Sequence, residues 1–261
     1  MIRCYTSHHS ISRMVMAAFA DGCGGQMVPS CDNNDNAMPL LEGDAALYGI
    51  LRGCGEIYKR AMMLGRNVHY IDHGYINFKG HQDKTSYYRI ARNGRQSVID
   101  PDHNWPSDRF EKLGVELKPW RKSGRHVLVI PLTEAIAKFH KLESSKWLAD
   151  TVRTITHHTE RPILTKPKGE GQLEQALADC WCVVTHSSNV AVDALIEGVP
   201  VITLGESTAC QLAWNFPDIE RPYYPERDGW AHGVAYQQWT LSEMRRGVYA
   251  EYAGIQRRKA A

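Results

Sequence analysis

The residues of this chain best suited to chemistry lie where apolar runs stop at small or charged side chains. The densest case is Asp179-Cys180-Trp181-Cys182-Val183-Val184-Thr185-His186-Ser187-Ser188-Asn189-Val190-Ala191-Val192-Asp193-Ala194-Leu195. A strand-like run ends in hydroxyl residues and a helical pattern starts at once. The unpaired amides of the first turn, the helix dipole and the Ser187 and Ser188 hydroxyls then converge. Such an end attracts phosphate; the alternative is that Ser187 or Ser188 is only an N-cap. Lys166-Pro167-Lys168-Gly169 follows a second run, ending at Thr165, where a lysine is a point charge able to meet an anion or stands in a solvated loop. Thr133 and Glu134 follow a third run, 126–130, and can touch a ligand or cap a helix.

The candidate proton acceptor lies in the first half, in Tyr70-Ile71-Asp72-His73-Gly74-Tyr75. Taking a proton from a hydroxyl near neutral pH suits Asp72, or His73 oriented by it; an acid just before glycine also suits a turn. His8 and Arg52 each follow a strand-like run and share that rim. Lys79, Arg89, Arg92 and Arg95 interleave with Tyr75, Tyr87 and Tyr88. Interleaved cations and aromatics can hold phosphates and stack bases, or form a half-buried strand with charged neighbours.

The elements that position these residues read as alternating strands and helices. Ile2 to Tyr5 is a strand, followed by a helix from Ser10 with Ser10 or Ser12 as cap and Met14, Val15, Ala18 and Phe19 inward. Ala46 to Leu51 is a strand; Ile57, Ala61 and Leu64 mark one helical face closed by Gly65; Asn67 to Ile71 is the next strand. The 100–107 stretch is a loop, and Lys118 to Gly124 a linker. Strands follow at 126–130, 162–165, 181–185 and 199–204, with helices near 145–157, 173–178 and 189–197, a doubly wound layer. Thr240 to Lys259, with Leu241, Met244, Val248 and Tyr252, reads as one helix capped by Thr240 or Ser242. The domain expectation is therefore 1–122, 123–236 and a C-terminal helix, 237–261, packing back across the halves.

Composition bounds the partners. At 261 residues, 43% hydrophobic and 23% charged, the chain can bury a core as one large or two small domains, and wholesale disorder is excluded. Its net charge of +2 does not announce a nucleic-acid or membrane partner. With no signal-like apolar core and no membrane-length run, a cytoplasmic protein is expected. The seven cysteines, Cys4, Cys23, Cys31, Cys54, Cys180, Cys182 and Cys210, include no C-x-x-C pair and read as reduced thiols. Among the twelve histidines, His8-His9 and His157-His158 are adjacent pairs that point apart, so no metal site is expected.

The segment Thr185 to Leu195 followed by Gly198-Val199-Pro200-Val201-Ile202 resembles the donor half of GT-B glycosyltransferases, most closely the capsule Kdo-transferase-like enzymes. The resemblance covers about 25 residues, and the strand–helix pattern extends it over about 126 to 210. It implies an α/β fold of two Rossmann-type halves with parallel sheets and a C-terminal helix. It also implies transfer of a sugar from a UDP-, GDP- or CMP-sugar to a hydroxyl, with no further cofactor and no metal. Ser187, Ser188 and Asn189 match the family's phosphate-binding helix start, Lys166 and Lys168 its basic loop. Asp193 stands where members carry Glu, and Thr133 and Glu206 complete the donor-binding set. Asp72 and His73 are then the catalytic candidates, and His8, Arg52, Tyr75, Arg89 and Arg92 the acceptor side. Compact relatives include phage enzymes that glycosylate hydroxymethylated pyrimidines in DNA, so DNA, in a host cytoplasm, is one acceptor and a saccharide the other. A nucleotide-sugar epimerase and a non-catalytic nucleotide-sugar binder share the pattern. Oligomeric state is open.

Overall fold

The structure is a computed structural model that describes residues 1–28, 42–100 and 102–256. Contacts gather it into two compact units, Met1–Ser97 with Tyr236–Ala261, and Val98–Ala235. The Lys118 to Gly124 segment falls inside the second unit, and the C-terminal segment belongs to the first. Cys31 and residues 257–259 of the expected tail helix lie outside the described residues.

The first unit contains β1 (Ile2–Tyr5), α1 (Ser10–Cys23), β2 (Gln26–Val28), β3 (Asp44–Tyr48), α2 (Cys54–Met63), β4 (Val68–His73) and β5 (Tyr87–Arg92). The second contains α3 (Asp108–Glu111), β6 (His126–Ile130), α4 (Glu134–His140), α5 (Ser144–Thr156), β7 (Ile163–Thr165), α6 (Leu173–Leu177), β8 (Cys180–Thr185), α7 (Val190–Ile196), β9 (Val201–Thr203) and α8 (Asp228–Ala235). The chain then rejoins the first unit as β10 (Gln238–Thr240), α9 (Leu241–Arg246) and α10 (Val248–Tyr252). No described helix is long and apolar enough to cross a membrane.

In the second unit the strand order is β7-β6-β8-β9, all parallel. Val127, Val129, Cys182 and Val184 are buried with Ile155 of α5 against them, as expected of strands covered on both faces. Here the sequence expectation and the structure agree strand for strand. Gly198 sits in the left-handed region (φ +75°), and a β-carbon there would collide with the Pro119 carbonyl, so the Gly-x-Pro turn into β9 is set by packing.

The first unit has a mixed sheet, order β10-β5-β4-β3-β1-β2. The pairs from β2 to β4 are parallel; β5 runs antiparallel to both β4 and β10. Expectation and structure part at several places: the strand expected over 46–51 ends at Tyr48, leaving Leu51 exposed, and four further differences follow. First, β4 continues through Asp72 and His73, which the sequence placed beyond it. Second, Leu64 is 53% exposed because α2 ends at Met63, whereas Ile57 and Ala61 are buried as expected. Third, α1 is capped by His9 without a side-chain bond; the Ser12 hydroxyl accepts instead from the Ser7 amide. Fourth, the single tail helix is broken into α9 and α10 by Gly247 (φ 82°), although Thr240 does form the expected cap, in a reciprocal box with Glu243.

The C-terminal segment is locked to the first unit by Trp239, 1% exposed, whose ring lies 4.7 Å from Tyr249 within a core that includes Phe19, Met16, Ile71 and Tyr88. Trp239→Ala leaves a large void there. It is expected to cost about 3–5 kcal/mol and to expose β10 to proteolysis, read by denaturant melts and limited digestion; an unchanged melt would refute this account of the docking.

Candidate functional site

Because β6 to β9 are parallel, their carboxyl ends share one rim. The chain runs from β6 out to β7 on one side, then back past β6 to β8. This reversal between β6 and β8 opens the crevice where ligands bind in such sheets. The loops at that point are 131–133 and 186–189; Lys166 and Lys168 follow β7, and Glu206 follows β9. Topology thus brings Thr133, Lys166, Lys168, Ser187, Ser188, Asn189 and Glu206 to one edge.

Their side chains differ in what they are free to do. Thr133 caps α4, its hydroxyl accepting from the Ile136 amide. The Ser188 hydroxyl accepts from the Val190 amide at 3.2 Å and so turns the chain into α7. Ser187 is buried, Asn189 is the N-cap residue without a side-chain cap bond, and Lys168 is exposed. Sequence reasoning gave no role to His186 or His140. The buried His186 ring lies 4.8 Å from His140 and 6.3 Å from Trp147 and packs on Gly205. The signal was present in His186's place between Thr185 and Ser187. Beside Trp147, a groove of about 230 Å³ runs along α5 to Leu204 and Phe216.

Asp193 stands apart, within α7. Burial, then the nearby charges of Glu174 and Glu197, push its carboxyl up to about 7.

In the first unit a second reversal, between β1 and β3, gives an equivalent rim. His8 follows β1 and is exposed; Arg52 follows β3, exposed and left-handed (φ 53°). Asp72 and His73 end β4, and successive strand residues point to opposite faces. Asp72 therefore does not orient the His73 ring, contrary to the sequence reading. His73 stacks on Phe78 (3.9 Å, 8°), with His81 at 5.1 Å and Tyr48 at 6.5 Å, on the face that also carries Ile71 and Tyr88.

On the opposite face Asp72 is held by hydrogen bonds. Its Oδ2 accepts from the Tyr70 hydroxyl (2.7 Å) and Arg89 Nη2 (3.1 Å), and its Oδ1 from the His73 amide (2.8 Å). Burial opposes its charge, yet Arg89, the Tyr70 bond and His73 outweigh that and hold the carboxyl below its ordinary range. A β-carbon at Gly74 would strike the Tyr87 carbonyl, so the turn out of β4 requires glycine.

Three acceptor-side expectations change. Arg89 is 5% exposed and committed to Asp72. Tyr75 is buried, its hydroxyl accepting from the Ser97 amide at 2.7 Å. Arg92 is exposed but pairs in register with His69, near the start of β4, because β5 runs antiparallel; it stands about 10 Å along the strand from Arg89.

No protein-family model matches the chain, and no curated protein sequence matches it. Two solved structures from Thermosulfurimonas dismutans share its fold. One is a KpsC beta Kdo 2,4 transferase chain, 9% identical, TM-score 0.53, the match covering 92% of this chain and 91% of that one. The other is a KpsC beta Kdo 2,7 transferase chain, 13% identical, TM-score 0.53, covering 96% and 100%. The architecture is thus the Rossmann-like α/β fold seen in these glycosyltransferases.

The environment of Asp193 fixes a pH dependence. Its folded carboxyl titrates near 7 against an ordinary 3.8. Between those values the unfolded chain ionises first, so stability falls as pH rises, by up to ~1.4 kcal/mol per unit, and the loss is complete above 7. Asp193→Asn is expected to raise the melting temperature above pH 7 and to leave it unchanged near pH 3. A melting curve equally shifted at both pH values would contradict this origin.

Proposed function

We propose that this chain is a GT-B-type glycosyltransferase that moves a sugar from a nucleotide-sugar donor to a hydroxyl of a saccharide acceptor. The observation that carries the reading is the Rossmann-type crevice between β6 and β8, with Ser187, Ser188 and the β7 lysines on its rim, in a fold shared with two Kdo transferases. Donor binding falls to the second unit. The acceptor oxygen attacks the anomeric carbon and the bond to the donor phosphate breaks. The leaving phosphate is met by the amides and hydroxyls at Ser187 and Ser188 and by Lys166 and Lys168. Trp147 and Phe216 offer apolar walls for a planar base in the groove along α5. The acceptor's proton passes to Asp72, which Arg89 keeps ionised.

A saccharide acceptor is favoured over DNA on physical grounds. The stretch that suggested DNA is largely built into the sheet: Arg89, Arg95, Tyr75 and Tyr88 are buried and cannot lie along a duplex.

Incubation with UDP-, GDP- and CMP-sugars, Kdo among the sugars, with an oligosaccharide or a hydroxymethylated duplex as acceptor, tests this by mass spectrometry. A glycosylated oligosaccharide is expected, with Asp72→Asn slowing transfer by about 10²–10⁴-fold. Joint replacement of Ser187 and Ser188 by Ala is expected to weaken donor binding about tenfold or more. Conversion of donor without acceptor would instead mark an epimerase, and a product on the duplex alone would overturn the acceptor class.

A further inference from the structure

We propose that Arg89 and Tyr70 are positioning residues that clamp the Asp72 carboxylate through one oxygen and leave the other to receive the acceptor's proton; this rests on Asp72 being the base. A carboxylate offers about four acceptor sites, two per oxygen. Among the described residues, Oδ2 takes two donors, the Tyr70 hydroxyl at 2.7 Å and Arg89 Nη2 at 3.1 Å, and is full. Oδ1 takes one, the His73 amide at 2.8 Å, and keeps one site. That asymmetry selects Oδ1 as the basic oxygen and fixes its direction, since rotating the carboxyl would break three bonds at once.

The clamp is rigid independently of Asp72. Arg89 donates from Nη1 to the His73 carbonyl (3.0 Å) and from Nε to the Arg95 carbonyl (3.3 Å), with its guanidinium 5.3 Å from the Tyr75 ring and 5.9 Å from the Tyr70 ring. Tyr70, fully buried, is pushed well above the usual tyrosine range by burial and by Asp72 itself, so it remains a donor at every working pH. The other ionisable groups that act on Asp72 are Tyr48 of β3, His73 and His81, and Arg95 acts on Tyr70. An exposed ion pair would contribute little to holding such a geometry. Here the cation is buried and hydrogen-bonded on both sides, so the carboxylate adapts to the guanidinium and not the reverse.

The test is a ¹³C carboxyl titration of the full chain, with Asp72 assigned by the signal lost in Asp72→Asn, beside the pH dependence of kcat with the donor and acceptor that turn over. Tyr70→Phe removes one hydroxyl and is the mildest variant; Arg89→Lys keeps charge without the fork, and Arg89→Met keeps only the stem. The Asp72 midpoint is expected to rise by roughly 1–3 units in Arg89→Met, by less in Tyr70→Phe, with Arg89→Lys between. The acid limb of kcat should move with it while donor KM stays constant. Midpoints unchanged in variants whose circular dichroism is native would overturn the clamp. A midpoint that moves while the acid limb stays fixed would overturn Asp72 as the base and leave the clamp a structural ion pair.

Discussion

A guanidinium taken out of water costs several kcal/mol unless its donors are met, and in the first unit Arg89 is met by the His73 and Arg95 carbonyls and by Asp72. Satisfying it constrains the surrounding chain. β5 has to run antiparallel beside β4, so that Arg89 lies directly across from Asp72. Gly74 has to let the chain pass the Tyr87 carbonyl, and the outer edge of β5 has to be covered, which β10 does. The C-terminal segment is therefore part of what holds the Asp72 carboxylate: β10 supports β5, and Trp239 anchors β10 among Tyr249 and Tyr252.

The second unit is governed by a different constraint, continuous burial of a parallel sheet. Most of the segment from Thr185 to Ile202 answers to it. Ala191, Val192, Ala194 and Leu195 are buried, and Gly198 turns the chain beneath Pro119. These positions are fixed by size and backbone conformation. Ser187, Ser188 and Asn189 are different. Ser188 closes the turn, its hydroxyl accepting from the Val190 amide, and Ser187 is buried beside it.

This division explains what could be read from the sequence. The strands of the second unit were legible because a strand buried on both faces is written as an uninterrupted apolar run, as in His126–Ile130 and Cys180–Thr185. The rim positions of Thr133, Lys166 and Ser187 follow from such strands being parallel. In the first unit the information was spread along the chain. Whether β4 continues through Asp72 depends on Arg89, seventeen residues away, and β10 is three residues whose pairing lies with Tyr87 to Arg89. The register of Arg92 with His69 was hidden for the same reason, since spacing alone does not show that β5 runs backwards. The Asp72 and His73 letters were adjacent, but strand alternation sent their side chains to opposite faces.

The two candidate carboxylates make a final contrast. Asp72 lies beside a guanidinium and a tyrosyl hydroxyl and is held below the ordinary range, whereas Asp193 lies near Glu174 and Glu197 and is raised to about 7. The two environments thus push like groups in opposite directions. At neutral pH Asp72 is an anion, held by Arg89 and the Tyr70 hydroxyl. Asp193 is a group whose charge follows the medium near neutral pH. A shorter acid on a helix flanked by other acids is poorly placed to hold a permanent charge, whereas a carboxylate paired with a buried guanidinium keeps one.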